Sequence, residues 1–292
     1  MEELVYLNGS LIPHSEAKVS AFDHGFLYGY GLFETMRAYN GKIFLLGRHL
    51  KRLFSSAKLL GLDSVLANID LEQACIDVLE ANNLKDARVR LTVTRGDAGA
   101  FSGTRQDSAA SVLTAATSYT PLPAEAYEKG YKALISSLRR DSGSLLSGLK
   151  STAYLLSVLA KREAENAGLD EALLLNERGF VAESSISNVF FVARGELVTP
   201  PVESGILPGI TREAVLELAA GSKIRAIEED IRVDDLPRFD EAFLTNSVLE
   251  IMPLVTVRGK AGETVSFGSG KPGVTTQRLM SAYHKMVARE TG

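Results

Sequence analysis

Residues Ser147–Leu175 read SGLKSTAYLLSVLAKREAENAGLDEALLL. A single lysine, Lys150, precedes a long helical run, and the chain then enters a β-type run at EALLL. The reading places Lys150 at the N-terminal end of that helix. A helix N-terminus carries partial positive charge, so a cation there loses a few tenths of a kcal/mol where Asp, Ser or Glu would gain. Two readings follow. One is a solvated loop lysine, the ordinary state of that residue. The other is a lysine whose proton is meant to leave easily, as Schiff-base chemistry requires.

Upstream, ELVYLNGSLIP alternates around an Asn-Gly pair, and LFETMRAYNGKIFLL repeats the device at Asn40-Gly41; both predict hairpins. GRHLKRLFSSAKLLG places Leu50, Leu53, Phe54, Ala57 and Leu60 at helical spacing and stops at Gly61. IDLEQACIDVLEANN is a second amphipathic helix, and ARVRLTVTRG a strand closed by Arg95-Gly96. The first third is therefore α+β. TSYTPLPAEAYEKG, with two prolines, suggests a linker over residues 118–128 between a smaller domain (1–117) and a larger one (129–292). Downstream, EALLLNERGFVAESSISNVFFVARGELVTPP predicts three β-type runs. GILPGITREAVLELAAG runs from loop into helix with Thr211 near the cap, and DEAFLTNSVLEIMPLVTVRGK returns to strand.

Composition narrows the function classes. Of 292 residues, 45% are hydrophobic and 23% charged, ordinary for a globular chain with a real core. The net charge of −4 offers no basic face for nucleic acid or anionic lipid. Cys75, the one cysteine, excludes an internal disulfide and is expected as a buried thiol. No apolar run approaches the roughly 18 residues of a membrane span, and the N-terminus lacks a signal-peptide layout, so a cytoplasmic protein is expected. The four histidines form no metal-ligand spacing, so no metal is expected.

Three features could each grip a phosphorylated aromatic ring. In LPGITREAVLELA a Pro-Gly loop opens a helix, where backbone N–H groups, the helix dipole and the Thr211 hydroxyl suit an anion. Arg52 lies on the helix after the second hairpin; a solvated helix face is its plain alternative. Glu183 ends the GFVAE run among apolar neighbours, where a carboxylate needs a partner, and a charged ring nitrogen would supply one.

Six stretches, DHGFLYGYGLFETMR, HLKRL, LKSTAYLLSVLAKREA, VAESSISNVFFV, ILPGITREAV and LTNSVLEIMP, resemble in order and spacing the class-IV pyridoxal-phosphate enzymes. That family includes branched-chain aminotransferases, D-amino-acid aminotransferases and aminodeoxychorismate lyases. The resemblance runs from about residue 3 to 285. It implies an α+β fold of two domains that clasp pyridoxal 5′-phosphate between them, usually in a homodimer. By position, Lys150 matches the lysine that forms the cofactor aldimine, and Glu183 the carboxylate that pairs with the pyridine nitrogen. Arg52 matches the phosphate arginine, helped by Ile210, Thr211, Asn246 and Ser247. Leu207 would pack on the ring face, and Tyr154, one turn after the lysine, would line the cofactor edge.

The reaction turns on the substrate residues. Arg90, in ARVRLTV, matches the arginine near the substrate carboxylate in branched-chain aminotransferases, while Arg88 stands where those enzymes carry tyrosine. An Arg-x-Arg strand with one exposed and one structural arginine is the alternative. Thr35, where branched-chain enzymes favour glycine, resembles the lyases. GDAGAFSG lacks the arginine and histidine of the D-amino-acid branch and also the arginine of many lyases. Tyr28, Tyr30 and Phe33 are candidates for the substrate wall, with core packing as their alternative. The leading expectation is transfer of an amino group between a hydrophobic, branched-chain L-amino acid and a 2-oxo acid; elimination of pyruvate from aminodeoxychorismate is second.

Overall fold

The computed structural model describes residues 2–97 and 109–292. The chain forms two compact units, each built around its own sheet, as the α+β expectation requires.

The first unit comprises Met1–Thr120, Leu149–Tyr154 and Val287–Gly292. β1 (Leu4–Leu7) and β2 (Ser10–Pro13) are joined by Asn8 and Gly9, both at positive φ, the backbone that a two-residue hairpin of the right twist demands. Next comes a short helix, α1 (His24–Tyr28), capped by the Asp23 carboxylate, which accepts from the Gly25 amide at 2.6 Å. β3 (Gly31–Tyr39) turns through Asn40-Gly41 into β4 (Lys42–Ile43). Three helices follow, α2 (Leu46–Leu59), α3 (Asp63–Leu66) and α4 (Leu71–Ala81), then β5 (Ala87–Thr94) and β6 (Ser111–Ser118). The sheet order is β2-β1-β6-β5-β3-β4, antiparallel throughout.

Strand alternation assigns the two faces of β3. Leu32, Met36 and Ala38 join Leu53, Ala57, Cys75 and Val78 in the core under the helices. Phe33, Thr35 and Arg37 point the other way. Phe54, placed on the core stripe by spacing, is instead 38% exposed. Cys75 is buried as expected, and burial pushes its thiol up to about 12.

The second unit comprises Pro121–Gly148 and Leu155–Met286. Its elements are α5 (Ala124–Lys129), β7 (Tyr131–Arg140), α6 (Leu155–Asn166), β8 (Glu171–Asn176), β9 (Val181–Ser184), β10 (Asn188–Ala193), β11 (Glu196–Thr199), α7 (Ile210–Gly221), β12 (Ala226–Glu228), β13 (Glu241–Asn246), β14 (Glu250–Arg258), β15 (Thr264–Ser266) and α8 (Val274–Thr291), whose last residues belong to the first unit. The mixed sheet runs β12-β11-β10-β13-β14-β7-β8-β9, with β15 on β14. Its core gathers Leu173, Val189, Phe191, Leu244, Met252 and Phe267.

Four details differ from the sequence reading. The three β-type runs after Glu171 are four strands, because Ser185–Ser187 break VAESSISNVFFV. β6 was not foreseen. The segment 118–128 holds the last residue of β6 and most of α5 rather than an open linker. Finally, Leu149–Tyr154 and Val287–Gly292 cluster with the first unit, although both fall within residues 129–292.

Candidate active site

The first unit carries one group of candidate residues. α6 begins at Leu155, five residues beyond Lys150, so the lysine is not at a helix N-terminus. It lies in an extended segment laid against β3: the Phe33 amide donates to the Lys150 carbonyl at 2.8 Å, Ser151 bridges Leu32, and the Thr152 amide donates to Gly31 at 2.9 Å. No helix N-terminus therefore adjoins this lysine, and Tyr154 is not a helical turn away from it. Aromatic faces surround the amine instead. Lys150 Nζ stands 4.7 Å from the Phe33 ring centre and 6.0 Å from that of Tyr154, and the two rings meet edge to face at 5.2 Å.

The Arg90 guanidinium lies 3.8 Å over the same Phe33 ring. Its pKa is lowered, by burial first and by the neighbouring Arg88 second. Arg88 is exposed and faces Arg37 across the β3–β5 ladder, while Thr35 faces Arg90. Phe33 is thus a wall shared by a primary amine and a guanidinium. Tyr30 is not part of it: its hydroxyl donates to the Leu60 carbonyl at 2.5 Å and its ring packs on the helical core. Tyr28 is 52% exposed and meets His24 edge to face. Of GDAGAFSG, residues 98–103 lie outside the described residues.

Arg52 is held from inside the unit. Its Nε and Nη2 donate to the two oxygens of Glu34 at 2.8 and 2.6 Å, and His49 Nδ1 meets the second oxygen at 2.7 Å. His49 and Arg52 are three apart on α2 and so share a face, and Glu34 projects from β3 toward that helix. Burial opposes the charged carboxylate, but Arg52 and His49 outweigh it and hold Glu34 at about 2. Burial lowers the pKa of His49 and outweighs the pull of Glu34. The sequence reading missed Glu34 and His49. A carboxylate in the apolar phase of β3 was the readable signal.

The second unit carries the other group. Glu183, on β9, was read as needing a partner that a charged ring nitrogen would supply, and the chain itself supplies several. Oε2 accepts from the Leu207 amide at 2.9 Å and from Asn188 Nδ2 at 3.2 Å, and Oε1 meets Arg140 Nη1 at 2.9 Å. Leu207 thus bonds Glu183 through its amide, while its carbonyl accepts from Asn188. The loop continues through Gly209, where an added Cβ would fall 2.0 Å from Asn188 Oδ1, so only glycine allows that approach. Gly209 caps α7 without a side chain, and the buried Ile210 and Thr211 open the helix. Asn246 and Ser247 lie at the β13–β14 turn. Asn246 Oδ1 accepts from the Val248 and Leu249 amides, and its Nδ2 donates to Ser187 Oγ at 2.8 Å. Among the described residues no group of His, Cys, Asp and Glu could hold a metal.

Residues 31–257 match the family described as Amino-transferase class IV. The chain belongs to this family. Among its relatives, a protein of Methanocaldococcus jannaschii named "Putative branched-chain-amino-acid aminotransferase" is 42% identical, covering 88% of each chain. The aminodeoxychorismate lyase of Bacillus subtilis is 35% identical, covering 97% of this chain and 94% of its own. The T.th. branched-chain amino acid aminotransferase, solved with pyridoxamine 5′-phosphate, superposes with a TM-score of 0.87 at 30% identity, over 99% of this chain and 95% of that one. This class-IV chain is a pyridoxal-phosphate-dependent enzyme.

The second unit fits such a cofactor in its own right. The first turn of α7 has no side-chain cap among the described residues, which leaves its backbone N–H groups for a phosphate. Glu183 offers a buried carboxylate of the sort a ring N–H would seek. When bound, the cofactor supplies the electron sink that stabilises a carbanion at the substrate α-carbon.

Proposed function

We propose that the chain moves an amino group between a hydrophobic, branched-chain L-amino acid and a 2-oxo acid. The observation that carries this reading is the Phe33 wall, with the Lys150 amine 4.7 Å above the ring and the Arg90 guanidinium 3.8 Å over it. An amino-acid substrate needs a base for its α-proton and a cation for its carboxylate, with an apolar surface for its side chain. Phe33 and its neighbours supply all three. In this reading Lys150 would hold the cofactor through its amine and would move the substrate's α-proton. Arg90 receives the carboxylate, Thr35 and Tyr154 line the space beside it, and Tyr28 closes its edge. Arg52, Ile210, Thr211, Asn246 and Ser247 serve the phosphate, Leu207 the ring face, and Glu183 the ring nitrogen, which it keeps protonated.

The names of the relatives support this order of readings. The lyase reading stays second, supported by Thr35 and by the Bacillus subtilis relative. A homodimer in the cytoplasm completes the proposal. Phe22 and Phe26 of the first unit, 69% and 77% exposed, are apolar surface that a second copy would cover.

Visible spectra of the purified protein test the proposal, taken before and after single amino acids are added without an oxo acid. Conversion of the yellow form to the pyridoxamine form by leucine or valine would support it. A yellow form indifferent to every L- and D-amino acid would overturn it in favour of the lyase, with aminodeoxychorismate as the next substrate.

A further inference from the structure

We infer that Arg140 is a positioning residue for Glu183, holding its carboxylate as a fixed anion toward the cofactor ring nitrogen. The inference rests on the assignment of Glu183 to that nitrogen.

Arg140 is the last residue of β7, and β8 lies between β7 and β9 in the sheet. Reaching Glu183 requires a guanidinium to cross one strand. The β7–β8 ladder shifts register between Ile135 and Arg139, immediately before the arginine, and such irregularities re-aim the side chains that follow. All three nitrogens are engaged. Nε donates to the Gly205 carbonyl at 2.7 Å, Nη2 to the Ser147 carbonyl at 2.6 Å, and Nη1 faces Glu183 Oε1 at 2.9 Å. Two backbone anchors leave the guanidinium one orientation, and the third contact passes that orientation to the carboxylate.

The loop on the far side is built to the same end. Gly205, which receives Nε, sits at φ +84, where an added Cβ would meet Ser142 Cα at 2.8 Å. Two residues later the Leu207 amide donates to the other oxygen of Glu183. One short loop therefore fixes the guanidinium at Gly205 and the carboxylate at Leu207. A stability role alone would be met by the two carbonyl bonds. The third contact brings a full positive charge within 2.9 Å of this carboxylate. Removing it strips a buried anion of that counter-charge, a costly change. The side chain would then turn away or take a proton, and in either case the ring nitrogen would lose its anion.

The test compares two ligands on the full chain stripped of cofactor: pyridoxal 5′-phosphate, and its analogue with carbon in place of the ring nitrogen. Wild type is expected to bind the first more tightly by roughly tenfold or more, the worth of one charge-assisted hydrogen bond. Arg140→Met should reduce that preference to near unity while leaving the affinity for the analogue unchanged, and Arg140→Lys should recover part of it. A folded Arg140→Met, or a folded Arg140→Gln if the first does not fold, that keeps the full preference would overturn the inference. A wild type with no preference would instead remove the role of Glu183 itself, and the proposal with it.

Discussion

Glu34 occupies the core-facing phase of β3, between Leu32 and Met36, where a carboxylate survives only because Arg52 and His49 meet it. Its folded value of about 2 lies below the ordinary 4.5, so the unfolded chain takes up the proton first as pH falls. The stabilisation is full above about 4.5 and is lost toward 2. His49, lowered from 6.5, loosens the fold in the same direction and earlier, as pH drops below that value. Thermal melts across pH should show two acid limbs, and Glu34→Gln should remove the lower one and cost about 3–5 kcal/mol, the usual penalty for breaking a buried pair. A melting temperature independent of pH below 5 would refute this. Lys150→Ala should abolish turnover with little change in melting temperature, because its hydrogen bonds to β3 are made by the main chain, while the side chain adds ring contacts with Phe33 and Tyr154. Glu183→Gln should retain cofactor yet slow proton abstraction by orders of magnitude in single-turnover kinetics. Arg90→Ala should raise the amino-acid KM, and an unchanged KM would remove Arg90 as the carboxylate anchor. Lys150, Arg52 and Glu183 stood out as candidates in the sequence because each is conspicuous in its own motif. Arg140 could not, since the register shift that brings it to Glu183 has no local signature.

Elements were legible wherever turn chemistry declared them. Asn8-Gly9 and Asn40-Gly41 both sit at positive φ, as two-residue hairpins require. β6, reading SVLTAATS, escaped notice because Ala and Ser outnumber its β-branched residues, and its place is set by pairing with β5 and β1. The start of α6 was misjudged for a related reason. Residues 150–152 pair with β3 through distant main-chain bonds, which no helical periodicity reveals. Gly205 gives a prediction at this scale. Gly205→Ala should destabilise by more than Gly195→Ala, although both sit near φ +80, because only Gly205 would press a Cβ against backbone. The shared left-handed cost is about 1–2 kcal/mol. Equal melting temperatures for the two variants would count against the crowding.

At the scale of the whole molecule, the exposed apolar residues bear on assembly. Phe22→Asp with Phe26→Asp should convert the proposed dimer to a monomer in light scattering, and an unchanged mass would clear that surface of the role. Membership of the family and the α+β class were readable from six motifs, whereas the return of two later segments to the first unit was not. Leu149–Tyr154 sits with the first unit while the chain on either side of it belongs to the second. That threading has a consequence for how the protein is made. A nascent chain released as far as Thr120 holds the first sheet but not the segment that carries the amine, which arrives after residues 121–148 have been synthesised. Val287–Gly292 arrives later still. The first unit is therefore completed last, by contacts of long sequence separation that close slowly. Removing Val287–Gly292 should therefore lower the denaturant midpoint of the first unit while leaving the core of the second, which does not include those residues, at its own midpoint.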